Sequence, residues 1–216
     1  MNPPLPVRRV EADPLAVAPR GAWPATLPAV RQLLDDGLDL GPVTVVTGEN
    51  GSGKSTLIEA IAIAYGLNPE GGSTGAQHVS RPTESSLGQH LRLVRGAGAP
   101  RKGFFLRAET MHAFYSYLEG VGFEENLHER SHGESFLDLV AARWRVRGLW
   151  VLDEPEAALS LSGCLALVRL LQDQVARGSQ VVVSTHSPVL AAHPGAELLE
   201  VGEWGIRSCA YDDLDL

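Results

Sequence analysis

The stretch Gly48-Glu49-Asn50-Gly51-Ser52-Gly53-Lys54-Ser55-Thr56 fits G-x-x-x-x-G-K-[ST] and constrains this chain more than any other. Val43–Thr47, just before it, is a β-branched run that reads as a buried strand. Leu57–Tyr65, just after it, is apolar at helical spacing and rich in good helix formers. A glycine-rich loop in that setting curls so that successive N–H groups point inward at phosphate oxygens. The following helix adds the positive end of its dipole, and Lys54 adds a mobile point charge. Ser55 offers a hydroxyl to Mg²⁺, while Thr56 supports the first helical turn. Gly48 to Thr56 are therefore the candidate phosphate contacts.

With 216 residues, 44% of them apolar, the chain can bury one sizeable core and carry a small inserted lobe. Its 18 basic and 26 acidic residues give a net charge of −8, so no global basic footprint points to nucleic acid. A local basic patch stays open. Cys164 and Cys209 lie in unrelated contexts without metal-ligand spacing, and read as reduced, buried thiols. Residues 1–9 lack the apolar core of a signal peptide, and no run is long enough to span a bilayer. The expectation is a cytoplasmic domain without membrane insertion.

Along the chain, Val7–Ala12 reads as a short strand and Leu27–Asp36 as an amphipathic helix. Trp23-Pro24 precedes that helix; stacking on a nucleotide base and simple packing both stay open. Residues 66–75 form a polar, glycine-rich loop, and Ser85–Arg95 a short mixed segment. Gly103–Arg107 reads as a buried strand, with helices expected over Met111–Leu118 and about Phe136–Trp144. Leu149–Asp153 is a continuous apolar strand ending in acid and Gln180–Ser184 another buried strand, separated by a long helix over Ser160–Arg177 that Gly178 caps. Pro188 suits a first helical turn with Ser187 as cap. Glu197–Val201 and Gly205–Ala210 suggest a closing hairpin, and the acidic tail is expected to fray. Apolar strands alternating with helices predict an α/β fold with a mostly parallel sheet covered on both faces. Lys54 and Asp153 are separated by roughly a hundred residues, too few for long coiled-coil arms beside these strands.

Two further stretches carry chemistry. The strand Leu149–Asp153 delivers Asp153 to the carboxyl edge of the sheet, where ligands bind in open α/β folds. Asp153 there holds the loop's Mg²⁺, and the adjacent Glu154 polarises an attacking water. His186 follows the next strand and emerges at the same edge, within reach of a terminal phosphate and that water.

Gly48–Thr56, Leu149–Pro155, Ala157-Ala158-Leu159-Ser160 and Thr185-His186-Ser187 resemble the Walker A, Walker B, D-loop and switch-histidine motifs of ABC-type ATPases. Together with Phe104–Glu109 and Ser131–Phe136, the pattern is similar to small standalone bacterial ATPases labelled AAA-family or ATP-binding cassette proteins. The likeness runs from about Pro24 to Arg207. It implies a P-loop NTPase fold over residues 1–216, with a small helical and loop lobe at about 67–145 between Walker A and Walker B. It implies ATP hydrolysis to ADP and phosphate, with Lys54 on the β- and γ-phosphates, Ser55 and Asp153 on Mg²⁺, Glu154 as general base and His186 as switch. Ser131-His132-Gly133-Glu134-Ser135 matches the position of the family's signature, so Ser131 and Gly133 would reach the second subunit's γ-phosphate in a head-to-tail homodimer. His132 and Glu134 depart from that pattern. Glu109 stands where the family has the glutamine of its Q-loop, and its carboxylate would face Mg²⁺ or water; Gln77 and Gln89 are weaker candidates. Three rivals stay open: a P-loop kinase, the ATPase subunit of a transporter, and a slowly hydrolysing switch that gates a DNA-repair or defence partner.

Overall fold

The computed structural model describes residues 3–69, 71–73, 86–108 and 147–214. Among them, β1 (Arg9–Ala12), α1 (Pro28–Asp36), β2 (Leu38–Asp39), β3 (Val43–Gly48) and α2 (Lys54–Tyr65) open the chain. β4 (Gly72–Ser73), β5 (Leu91–Val94), β6 (Gly103–Arg107) and β7 (Leu149–Asp153) follow. α3 (Leu161–Ala176), β8 (Gln180–Ser184), α4 (Pro188–Ala191), β9 (Glu197–Gly202) and β10 (Gly205–Cys209) close it. The main sheet has the order β10-β9-β3-β8-β7-β6-β4; its β9, β3, β8, β7 and β6 run parallel, while β10 and β4 are antiparallel edges.

The central strands are mostly apolar because both of their faces are covered, with buried polar residues such as Thr44, Thr47, Gln180 and Ser184 among them. Successive side chains point to opposite faces. On β7, Leu149 and Val151 join the core beneath α1 and α2, whereas Trp150 and Leu152 join the core beneath α3 and α4. Trp150 is fully buried, its ring 5.2 Å from that of Phe104 in a tilted packing that aromatic quadrupoles favour. Helix α3 starts at Ser160, whose hydroxyl accepts from the amide of Gly163 at 3.2 Å, and it ends where Gly178 turns to φ +87°.

Several details differ from the local sequence pattern. β1 does not join the main sheet; it pairs antiparallel with β2 and with β5. The partner Leu91–Val94 lies about eighty residues downstream, so no local periodicity could announce the pairing. Ser187 makes no side-chain cap for α4, and its amide instead donates to Thr185 Oγ1 at 2.9 Å. The tail does not simply fray: Tyr211–Asp213 form a 3₁₀ turn, and Tyr211 donates its hydroxyl to Pro188 O at 3.2 Å. Cys209 is half-buried rather than buried, and both cysteines are free thiols. The expected helices at 111–118 and 136–144 lie outside the described residues.

His193, between α4 and β9, is 6% exposed, and burial pushes its imidazolium pKa down, partly offset by backbone carbonyl interactions at His193 and Pro194. A depressed folded pKa means that the unfolded chain takes up a proton first as pH falls. Stability is therefore expected to drop on acidification from the ordinary histidine range toward the lower folded value. Urea midpoints at neutral and acidic pH should show a smaller drop in His193→Phe; equal drops would contradict this role.

Candidate functional site

The site grows out of one row across the sheet. The registers pair Arg107 with Asp153, Asp153 with Ser184, and Ser184 with Val46. The parallel strands therefore end together, and the residues that follow them gather at one carboxyl edge.

The phosphate loop rises there between β3 and α2. At Gly48, φ is +137° and an added Cβ would stand 2.1 Å from the carbonyl oxygen of Val201, so only glycine fits beside β9. Gly53 turns left-handed at φ +104° immediately before the first turn of α2. This start places the amides of Lys54, Ser55 and Thr56 at the helix N-terminus, where their N–H groups have no intrahelical acceptors. Lys54 is 3% exposed and donates to the carbonyls of Gly48 at 2.9 Å and Glu49 at 3.0 Å. Burial lowers its pKa, while the carboxylates of Glu154, Asp153 and Glu156 pull in the opposite direction. The ammonium is thus held in a confined place facing three acids. Ser52 Oγ is buried without a hydrogen-bond partner among the described residues, a polar atom that a bound oxyanion would satisfy.

Asp153 is 5% exposed, and both of its carboxylate oxygens have neighbours. Ser184 donates its hydroxyl to Oδ1 at 2.5 Å, and Arg107 Nε lies 3.3 Å from Oδ2. Arg107 also reaches Glu59 Oε2 through Nη1 at 2.7 Å. The guanidinium consequently ties β6 and β7 to α2, whose Ser55 lies one turn before Glu59 on the same helix face. The Ser55 hydroxyl and the Asp153 carboxylate are hard oxygen donors of the kind that suit Mg²⁺.

Glu154 is the one non-glycine residue with positive φ among those described, at +48°. That conformation costs of order 1 kcal/mol. Its amide repays the cost with bonds to Ser184, at 3.1 Å to the carbonyl and 3.2 Å to the hydroxyl. The turn aims the Glu154 side chain at His186, with Oε1 to Nε2 at 3.4 Å. Both side chains are about one-third exposed, while His186 Nε2, the atom that faces Glu154, is itself buried. Glu156 Oε1 accepts the His186 amide at 2.6 Å and fixes the turn after β8.

The structure therefore brings Lys54, Ser55, Asp153, Glu154 and His186 to one edge, with the loop Gly48–Thr56 between them. Glu109, Ser131 and Gly133 lie outside the described residues, as do Gln77 and the rest of the Ser131–Ser135 turn. Gln89 is exposed on a 3₁₀ turn that packs beside α2. Sequence reasoning assigned no role to Arg107, Glu59, Ser184 or Glu156. A usable signal existed for two of them: Arg107 and Ser184 are polar ends of otherwise apolar strands, in register with Asp153.

A family profile described as an AAA domain matches residues 30–94. The cytochrome c biogenesis ATP-binding export protein CcmA 1 of Salmonella typhimurium is 30% identical over 174 residues, covering 74% of this chain and 81% of that protein. The protein of the same description, CcmA, from Rhizobium meliloti is 32% identical over 185 residues, covering 76% and 86%. Among solved structures, a metal-chelate type ABC transporter in an inward-facing conformation superposes with a TM-score of 0.55 at 17% identity, over all of this chain and 86% of that one. An SMC head bound to the C-terminal winged-helix domain of ScpA gives 0.51 at 13% identity, covering 80% and 92%. Loop, acidic pair and strand-end histidine stand in the same order and share one sheet edge. The chain belongs to the ABC-type P-loop ATPases, and it binds ATP and hydrolyses it to ADP and phosphate.

Proposed function

We propose that this ATPase acts in the cytoplasm as a homodimer that sandwiches two ATP molecules head to tail. The supporting observation is the placement of Glu154 and His186, 3.4 Å apart, at the sheet edge that also carries the buried Lys54. In this reading Lys54 and the loop amides hold the β- and γ-phosphates. Ser55 and Asp153 hold Mg²⁺, which neutralises charge on the phosphate oxygens when bound. Glu154 accepts a proton from water as its oxygen bonds to the γ-phosphorus, and the bond from that phosphorus to the bridging oxygen of ADP breaks. His186 steadies the water and the departing phosphoryl group. Ser131 and Gly133 of the second subunit complete the site, and the span at about 67–145 forms the lobe that carries them.

A transporter-linked reading has its own support, since the relatives are described as export proteins. Among the described residues no helix is long and apolar enough to cross a membrane, so export would require a separate membrane partner. A DNA or protein partner would serve the switch reading instead.

Light scattering of the purified 23.1 kDa protein with a non-hydrolysable ATP analogue and Mg²⁺ tests the dimer. The mass is expected to double with the analogue and to stay monomeric without it. A mass unchanged by saturating analogue would overturn the sandwich. Phosphate release measured with and without DNA, and with no added acceptor, then separates hydrolysis from transfer to a small molecule.

A further inference from the structure

We propose that the cleft between the phosphate loop and the Glu203-Trp204 turn receives the nucleoside of ATP, with the flat face of the base against Trp204. The inference rests on the reading of Gly48–Thr56 as the triphosphate site.

Sheet order gives the direction. Asp153, Glu154 and His186 follow β7 and β8, which lie to one side of β3, whereas β9 and β10 lie to the other. A triphosphate whose reactive end meets those residues must extend its nucleoside across the loop, toward β9. From β7 to β9 is three strand spacings, roughly 14 Å at the usual interstrand distance. A nucleoside triphosphate bound in an extended form spans that width.

Something is waiting there. A cleft of about 450 Å³ opens beside the loop, between the main chain of Gly48–Ser52, Leu27 and Pro28 at the start of α1, and the β9–β10 turn. That volume lies within the range of small-ligand sites. Leu27 overlies the start of α2, since a Cβ on Gly53 would stand 3.2 Å from its Cδ1. Glu49, Glu200 and Glu203 also line the cleft. Glu200 is paired with Arg207, and the charge of Glu49 and Glu203 disfavours phosphate, so the space suits the uncharged half of the nucleotide.

Trp204 forms the wall opposite the loop. Trp204 as a residue is 55% exposed, yet it is held in place. The Arg207 guanidinium lies 4.1 Å from the ring centroid, and Glu200, itself 4% exposed, anchors Arg207 Nε at 2.7 Å. Gly202 leaves room beneath, for a Cβ there would stand 2.6 Å from the indole. A pinned, partly exposed aromatic ring lining a cleft at the mouth of a phosphate site is arranged to stack a base. Trp23, the aromatic singled out from sequence, is exposed and does not line this cleft.

Calorimetric titration with Mg·ATP and with Mg·tripolyphosphate separates the two halves of the ligand. Trp204→Ala should weaken ATP about 10- to 100-fold, the range for loss of one base–aromatic stack, and leave tripolyphosphate affinity unchanged. Trp204→Phe should retain most of the ATP affinity. Wild-type ATP affinity in Trp204→Ala, or equal losses for ATP and tripolyphosphate, would overturn the base site. Lys54→Ala, run in parallel, should weaken both ligands. Undiminished binding of both by that variant would refute the triphosphate reading itself, separately from the role of Trp204.

Discussion

Glu154→Gln is expected to lower ATP turnover about a hundredfold or more, in the range that a lost general base imposes, while ATP binding persists. The amide has the shape of the carboxylate but cannot take a proton from the attacking water. The surrounding geometry should survive, because the Glu154 turn is held by its backbone amide on Ser184 and not by its side chain. The conformation at φ +48° is no harder for glutamine than for glutamate. Steady-state phosphate release and equilibrium ATP binding, measured on the same preparation, check both halves. Unchanged hydrolysis would remove Glu154 from the role of base. Lost binding would assign it to the phosphate site instead.

Lys54→Ala should act on the other parameter and weaken ATP binding by at least about tenfold, since a hydrogen bond to a charged group contributes roughly 1.5–3 kcal/mol. Lys54 is 3% exposed, and its ammonium faces the acids Glu154, Asp153 and Glu156. Removing it deletes the cation that a phosphate would meet and leaves those carboxylates to repel the ligand. The two effects add in the same direction. The fold should tolerate the change, because burying the ammonium is itself unfavourable, as its lowered pKa records. ATP affinity equal to wild type, by calorimetry, would contradict the phosphate role. A loss confined to turnover would move Lys54 from binding to the chemical step.

The sequence was most legible where a local pattern and the tertiary environment agree. β6, β7 and β8 stand where their apolar runs predict, because strands covered on both faces carry near-continuous apolar runs. α2 begins at Lys54, inside the motif, since the glycine at 53 supplies the left-handed turn that launches it. The pairing of β1 with β5 was not legible, for it joins segments that no window of sequence contains together. Nor was the link between Arg107, Glu59 and Asp153. Glu59 reads as a stray acid in an apolar helix until the sheet brings a guanidinium to it. The Glu203-Trp204 turn was legible as a hairpin, but its place beside the loop depends on β9 pairing with β3.

That pairing bears on how the protein is made. β3 takes β8 and β9 as its two neighbours, so both flanks of the strand that launches the phosphate loop come from residues 180–202. During synthesis β3 emerges early and waits with both backbone edges unpaired while the next hundred-odd residues are added. Such distant pairings form slowly, and waiting strands are open to wrong partners. The flanks of the nucleotide cradle can pair only once residues 180–202 have been made, and a chain halted before β8 would carry the motif without the neighbours that hold β3.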